Sequence, residues 1–323
     1  MPTIKDVAGL AGVSVATVSR YLNDSGYVSE NAREKIAKAI KKLDYTPNEV
    51  ARSLYKKTSK LVGLLVPQID NPYFNNIITG VEAVCNERGF HLIISNVSKK
   101  EDEKKYIESF MTNNVAGIIS SIGTYEDYKR IKCPIVGVDR ARNSFEYSVF
   151  YDEENGGRLA AEAIVKGGAG KILVGAGPEN IEVARDRLRG ILEVLDREKA
   201  DYHVYNSSGY DYESANEFAS FIENADEKYD SIIACNDLHG ICATLSLNRA
   251  GVEMPKDVQV IGYDDTIFSK LSNPGLSTIK HDGAVLGKKA AEMLINLIEK
   301  VDVEEKNIQL YSSLVKNGST RNE

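Results

Sequence analysis

The chain contains no apolar run approaching the roughly 18–20 residues that a membrane-spanning helix needs. Its opening, MPTIKDVAGLAGVS, puts Asp6 where an export signal would carry an unbroken apolar stretch, so no such signal is expected. Cysteine is scarce: Cys85, Cys133, Cys235 and Cys242 form no CxxC pair, which predicts reduced, mostly buried thiols in a cytoplasmic protein. The four histidines show no HExxH or comparable ligand spacing, so neither a metal nor a cofactor is expected. Ser-His-Asp, GxSxG and P-loop patterns are missing. Gly175-Ala176-Gly177-Pro178 lacks the third glycine of a dinucleotide fingerprint, which argues against a nicotinamide-dependent enzyme.

What is present is ordinary globular composition, 42% hydrophobic and 27% charged, over 323 residues. That length is about twice the ~100–200 residues of one domain. The net charge of -7 hides an asymmetry, because residues 1–60 carry a balance of +5 and the remainder -12. A basic head on an acidic body suggests that the head meets a polyanion, although a solvated basic face would look the same.

Within the head, Ile4, Val7, Ala8 and Ala11 recur at the spacing of one helix face. Asp6 in the first turn suits the helix dipole. Gly12-Val13 interrupts the pattern, and Ser14 can cap a second helix running from Val15 to about Leu22. Two short helices across a glycine turn predict a helix-turn-helix. Val7, Ala8, Val13 and Val18 would join them, leaving Val15, Ala16, Ser19 and Arg20 outward, where such a helix meets base edges. A third helix is expected after Ser29, with Ile36, Ile40 and Leu43 as its apolar stripe. Thr46 and Glu49 match a capping box with Pro47 at the first helical position. The helix they start, over 46–54, is too short to be stable alone.

From residue 61 onward, β-branched runs at 61–66, 92–96, 117–121, 135–138, 172–175, 232–234 and 258–262 alternate with helical stretches. Repeated βαβ units predict parallel sheets flanked by helices, with near-continuous apolar strands buried on both faces. Their number favours two lobes about a cleft, at about 61–160 plus 281–308 and about 161–280 plus 309–323. Ligands of such folds sit at the carboxyl ends of the strands. The polar and aromatic residues expected there are Asp70, Asn71, Tyr73, Phe74, Asp139, Arg140, Asn236, Asp237, Asp264 and Asp265, with Arg185, Arg187 and Arg189. Carboxylates, amides, a guanidinium and rings suit a polyhydroxylated ligand. Asp70 and Asp265 are expected instead to be caps or surface pairs.

Thr3-Ile4-Lys5-Asp6-Val7-Ala8, Gly12-Val13-Ser14, Thr17-Val18-Ser19-Arg20, Leu22-Asn23, Pro47-Asn48 and Ala51-Arg52-Ser53-Leu54 resemble the head and hinge of the lactose/galactose-repressor family. The similarity extends along the body through Asn71-Pro72-Tyr73-Phe74, Val138-Asp139-Arg140, Asn155-Gly156-Gly157, Asn236-Asp237 and Gly262-Tyr263-Asp264-Asp265. The resemblance implies an all-α helix-turn-helix headpiece with a hinge helix (1–57, hinge 46–54) before a two-lobed periplasmic-binding-protein-like α/β body (58–323). It further implies a homodimeric, sugar-responsive repressor of a carbohydrate-utilisation operon that binds a pseudo-palindromic double-stranded operator. Val15, Ala16 and Arg20 would read bases, and Thr3, Ser14, Thr17, Ser19 and Asn23 would hold phosphates. Ala51 and Leu54 would enter the minor groove, Leu54 as a wedge. Asn71, Tyr73, Phe74, Asp139, Arg140, Arg187, Asn236 and Asp264 would face a small sugar or sugar-phosphate effector, in a branch resembling those for ribose- or fructose-like sugars. His281-Asp282-Gly283 departs from the pattern and leaves that wall of the pocket open. A sugar-binding protein without DNA function is the first alternative and a nucleotide-dependent α/β enzyme the second.

Overall fold

The computed structural model describes residues 2–46, 59–123, 128 and 131–321. The chain divides into two compact units, 1–59 and 60–323. In the first, α1 (Ile4–Ala11), α2 (Val15–Leu22) and α3 (Glu30–Leu43) close on Val7, Ala8, Ala11, Val18, Val28, Ile36 and Ala39. Asp6 accepts hydrogen bonds from the Thr3 amide and hydroxyl at 2.7 and 2.8 Å, and these bonds hold its carboxyl below the usual range. Gly12, at φ +65°, ends α1 by turning its N–H back to Ala8 and Gly9, a conformation that glycine adopts without Cβ strain. Ser14 and Ser29 cap α2 and α3, accepting from the Thr17 and Ala32 amides. The expected hinge helix, including Ala51 and Leu54, lies outside the described residues.

The second unit holds two six-stranded sheets. The first is built from β1 (Leu61–Val66), β2 (His91–Asn96), β3 (Gly117–Ser120), β4 (Ile135–Val138), β5 (Tyr147–Tyr151) and β11 (Asn307–Leu310), in the order β11-β5-β4-β3-β1-β2. The second is built from β6 (Lys171–Ala176), β7 (Asp201–Asn206), β8 (Ser231–Ile233), β9 (Gln259–Asp264), β10 (Ser277–Lys280) and β12 (Ser313–Val315), in the order β12-β10-β9-β8-β6-β7. Every pairing is parallel except β10 with β12. Strands β5, β7, β10, β11 and β12 were not evident as apolar runs. Most of them lie toward sheet edges and carry polar residues on one face.

Helix α4 (Pro72–Glu87) packs against α11 (Gly283–Glu299) in the first lobe, and α6 (Glu153–Lys166) packs against α7 (Glu182–Arg197) in the second. Both crossings bring backbone onto backbone. A Cβ on Gly157 would strike the Arg187 carbonyl, and one on Gly190 the Glu154 carbonyl. In the first lobe Gly287 meets the Ile77 carbonyl in the same way. Helices α5 (Lys100–Thr112), α8 (Tyr212–Asn224), α9 (Asp237–Arg249) and α10 (Ile267–Leu271), with a single 3-10 turn at Asp139–Ala141, complete the described elements.

The lobe limits differ from those expected. The Asp152 carboxylate accepts from the Asn155 amide at 2.9 Å, so α6 begins directly after β5 and residues 153–160 belong to the second lobe. At the other crossing, Gln309 and Leu310 pair with Phe150 and Tyr151 and stay in the first. All four cysteines are free, and Cys85, Cys235 and Cys242 are buried.

Candidate functional site

In the head, Thr3, Ser14, Val15, Ala16 and Arg20 are exposed, while Thr17, Ser19 and Asn23 are partly so. Val18, on the opposite face of α2, is fully buried. The cap at Ser14 also places its hydroxyl 2.8 Å from that of Thr17, so two hydroxyls cluster at the N-terminal end of α2. Asn23 closes the other end, its amide donating to the Ser19 carbonyl at 2.8 Å. One face of α2 therefore offers an apolar pair and a guanidinium, flanked by hydroxyls and by backbone N–H groups suited to phosphate.

In the body, a cavity of about 210 Å³ opens at the carboxyl ends of the strands. Residues from both lobes line it, Gln68, Asp70, Asn71 and Pro72 from the first and Tyr210, Asp211, Asn236, Asp237, Asp264 and Thr266 from the second. Asn71, Asn236 and Asp264 are thus brought together as expected. Both asparagines are also helix caps, accepting from the amides of Tyr73 and His239 at 3.0 and 2.9 Å. Asp70 is a correction: Asn71 performs the cap expected of it, and Asp70 lines the cavity. Asp265 pairs with the exposed Lys270 at 3.7 Å, as a surface contact.

Tyr73, Phe74, Asp139, Arg140 and Arg187 stand in an adjoining buried network. The Tyr73 hydroxyl donates to Asp139 at 3.4 Å. The Arg140 guanidinium lies 5.4 Å from the ring of Phe74 in one lobe and 5.4 Å from that of Tyr210 in the other. Arg187 donates through Nε to Glu153 at 3.0 Å and through Nη1 to the Cys235 carbonyl at 2.7 Å, and it stacks 3.4 Å from the Tyr263 ring centre. Tyr263 donates to the same Glu153 oxygen at 3.1 Å. Asp139 and Asp264 hold positive φ, +51° and +103°; the first is the left-handed region that aspartate tolerates, and the second lies beyond it. Backbone strain of this kind costs on the order of 1–3 kcal/mol and concentrates at functional sites.

Burial dominates the ionisation here. It pushes the carboxyl of Asp139 up and that of Asp264 well up, the latter opposed by Arg187. Burial also raises Asp237 to about 6, against hydrogen bonds from Thr278 and Thr266. Burial, then the Arg187 charge, lowers His281 to about 3, so its 3.4 Å contact with Glu153 is made by a neutral ring rather than an ion pair. Arg187 keeps its charge despite burial because Glu153 faces it. Asp139, Glu153 and His281 could reach one ion, but the Arg187 guanidinium already balances Glu153.

Sequence reasoning missed Glu153, Tyr151 and Tyr210. Recognising Tyr147–Tyr151 as a strand would have placed Tyr151 and Glu153 at a strand end. The departure at His281 proves central: its ring contacts Tyr73, Tyr151 and Tyr263.

Two family models match the chain, "Bacterial regulatory proteins, lacI family" over residues 3–48 and "Periplasmic binding protein-like domain" over 161–320. The ribose operon repressor of Bacillus subtilis (strain 168) is 40% identical over 326 residues, covering 100% of both chains. The lac repressor dimer bound to operator and the anti-inducer ONPF superposes with a TM-score of 0.90 at 28% identity, over 99% of each chain. A periplasmic binding protein/LacI transcriptional regulator from Alkaliphilus metalliredigens QYMF, complexed with D-xylulofuranose, gives 0.73 at 28% identity, over 82% of this chain and 100% of that one.

Proposed function

Because the chain belongs to the lacI family of bacterial regulatory proteins, DNA-binding transcriptional repressors rather than enzymes, we propose that it represses an operon for ribose use, with a neutral pentose as effector. The observation that carries the choice of effector is the polar lining of the cavity. Asp70 and Asp211 line it beside the amides of Asn71 and Asn236, a set of acceptors and donors that matches the hydroxyls of a neutral sugar. Its volume of about 210 Å³ falls below the ~300–1,000 Å³ of drug-sized sites and suits one small sugar ring. Tyr73, Phe74, Asp139, Arg140 and Arg187 would complete the pocket as the lobes adjust to the ligand.

On this reading, Val15, Ala16 and Arg20 read base edges, and Thr3, Ser14, Thr17, Ser19 and Asn23 hold the backbone. Ala51 and Leu54 engage the minor groove through the hinge. One helix-turn-helix covers only a half-site, so the working form is a homodimer on a pseudo-palindromic operator, acting in the cytoplasm. Leu245 on α9 and Ile267 and Leu271 on the adjoining α10 are about half or more exposed, an apolar patch that a second copy would cover. Pentose binding shifts the population of lobe arrangements and so the spacing of the paired hinges.

Calorimetric titration of the full chain with D-ribose, D-xylulose and ribose 5-phosphate tests the effector. A neutral pentose should bind at least about tenfold tighter than the phosphate, a gap of about 1.4 kcal/mol. Preference for the phosphate, or no pentose binding at all, would refute the assignment.

A further inference from the structure

Behind the cavity wall lies a histidine that no step above has used. His239, in the first turn of α9, is completely buried. Its Nδ1 sits 2.7 Å from Asn236 Oδ1, and its Nε2 sits 2.9 Å from the Ser207 hydroxyl. The roles of these atoms follow from the backbone. The His239 amide donates to Asn236 Oδ1 at 2.9 Å, and Asn236 Nδ2 donates to the Tyr210 carbonyl at 3.2 Å. The amide is therefore oriented: its oxygen faces the histidine and its nitrogen faces Tyr210. An oxygen 2.7 Å from Nδ1 can only accept, so Nδ1 carries the ring proton, and Nε2 of the neutral ring takes the Ser207 hydroxyl hydrogen in competition with the Gly209 carbonyl, also 2.9 Å from that hydroxyl.

We propose that His239, protonated at Nδ1, is a positioning residue whose ring adds a second bond to the Asn236 oxygen that the backbone already turns inward, and so holds the amide rigid while Asn236 offers the cavity a donor. Both lone pairs of Oδ1 are occupied, by the backbone and by the ring. The nitrogen spends one hydrogen on Tyr210 and keeps the other for the cavity that Asn236 lines. A ligand must then bring an acceptor to this point, which a hydroxyl oxygen supplies. The specificity consequence rests on the pentose reading above, whereas the tautomer does not.

Two measurements test the lock. Nitrogen-15 shifts of the His239 ring in the free protein should show the proton on Nδ1, and a proton on Nε2 would overturn the proposal whatever the effector is. Ribose affinity is then measured for the parent chain, His239→Phe, His239→Asn, Asn236→Ala and the Asn236→Ala/His239→Phe double variant. His239→Phe should weaken ribose about tenfold. His239→Asn, whose amide nitrogen can stand where Nδ1 stood, should recover most of that loss. In the Asn236→Ala background, His239→Phe should cost nothing further. An equal loss in both backgrounds would mean that the ring only fills space and would overturn the lock. A parent chain that binds no pentose defeats the effector assignment and leaves the tautomer result to decide the lock.

Discussion

Removing Glu153 tests whether the buried network holds the body together. In Glu153→Ala, Arg187 keeps the Cys235 carbonyl and the Tyr263 ring but loses the carboxylate that accepts from Nε and Nη2 at 3.0 and 2.9 Å. Tyr263 and His281 lose the same partner. Because His281 is neutral at pH 7, Arg187 is the principal positive charge facing Glu153. Breaking a buried ion pair by removing one member costs about 3–5 kcal/mol, since the other is left desolvated and unpaired. For a domain of this size each kcal/mol lowers the midpoint by about 2–4 °C, so Glu153→Ala should melt roughly 6–20 °C below the parent chain. Glu153→Gln keeps the shape and one accepting oxygen and should fall between the two. Removing the charge from both sides, as Glu153→Ala/Arg187→Met, should recover part of the loss because no unpaired ion remains. Differential scanning calorimetry reads all four proteins. A Glu153→Ala midpoint within about 2 °C of the parent would show that the pair carries no net stability and would sink the argument.

Three further outcomes are expected. His281 binds no proton in the folded state until about pH 3, whereas the unfolded chain takes one up below 6.5, so its contribution is full above 6.5 and is lost as pH falls. Between pH 7 and 5 the parent should lose about 2 kcal/mol relative to His281→Gln, and denaturant titrations showing a constant gap would contradict this. Arg142, beyond β4 in the first lobe, pairs with Asp186 and Glu182 on α7 of the second, and Asn143 donates to Glu182 at 2.7 Å. Arg142→Ala should favour separated lobes and weaken ribose about tenfold, which corresponds to about 1.4 kcal/mol, and unchanged X-ray scattering with unchanged affinity would speak against such a latch. Arg20→Ala should cost about 1–3 kcal/mol at one operator position and relax preference there, whereas an even loss across sequences would make it a phosphate contact.

The parts of the molecule governed by local chemistry were legible. Ser14 and Ser29 cap the helices the sequence gives them, Gly12 turns where a turn was needed, and Val7, Ala8 and Val18 form the contact that their spacing implied. Asn71, Asn236 and Asp264 could be placed beside the cavity they line because strand ends could be located from continuous apolar runs. Glu153 escaped because its meaning lies 34 residues away in Arg187 and 110 away in Tyr263. The strand that presents it, Tyr147–Tyr151, is completed by residues 307–310 and has no continuous apolar signature of its own. Asp70 was misassigned for a related reason: adjacent Asp and Asn compete for one cap, and the backbone decides which of them wins.

The contact of Gly157 and Gly190 with opposing carbonyls also determines how force travels through the second lobe. Side chains meeting at a helix interface can repack and absorb a push, but two main chains in contact have no such slack. Arg187 sits on α7 within this rigid joint, and Glu153 starts the helix on the other side of it. A displacement of Arg187 therefore has little room to be taken up by its own helix alone, and the joint ties α7 to α6 and to the Asp152 crossing as a stiff pair rather than a cushioned one.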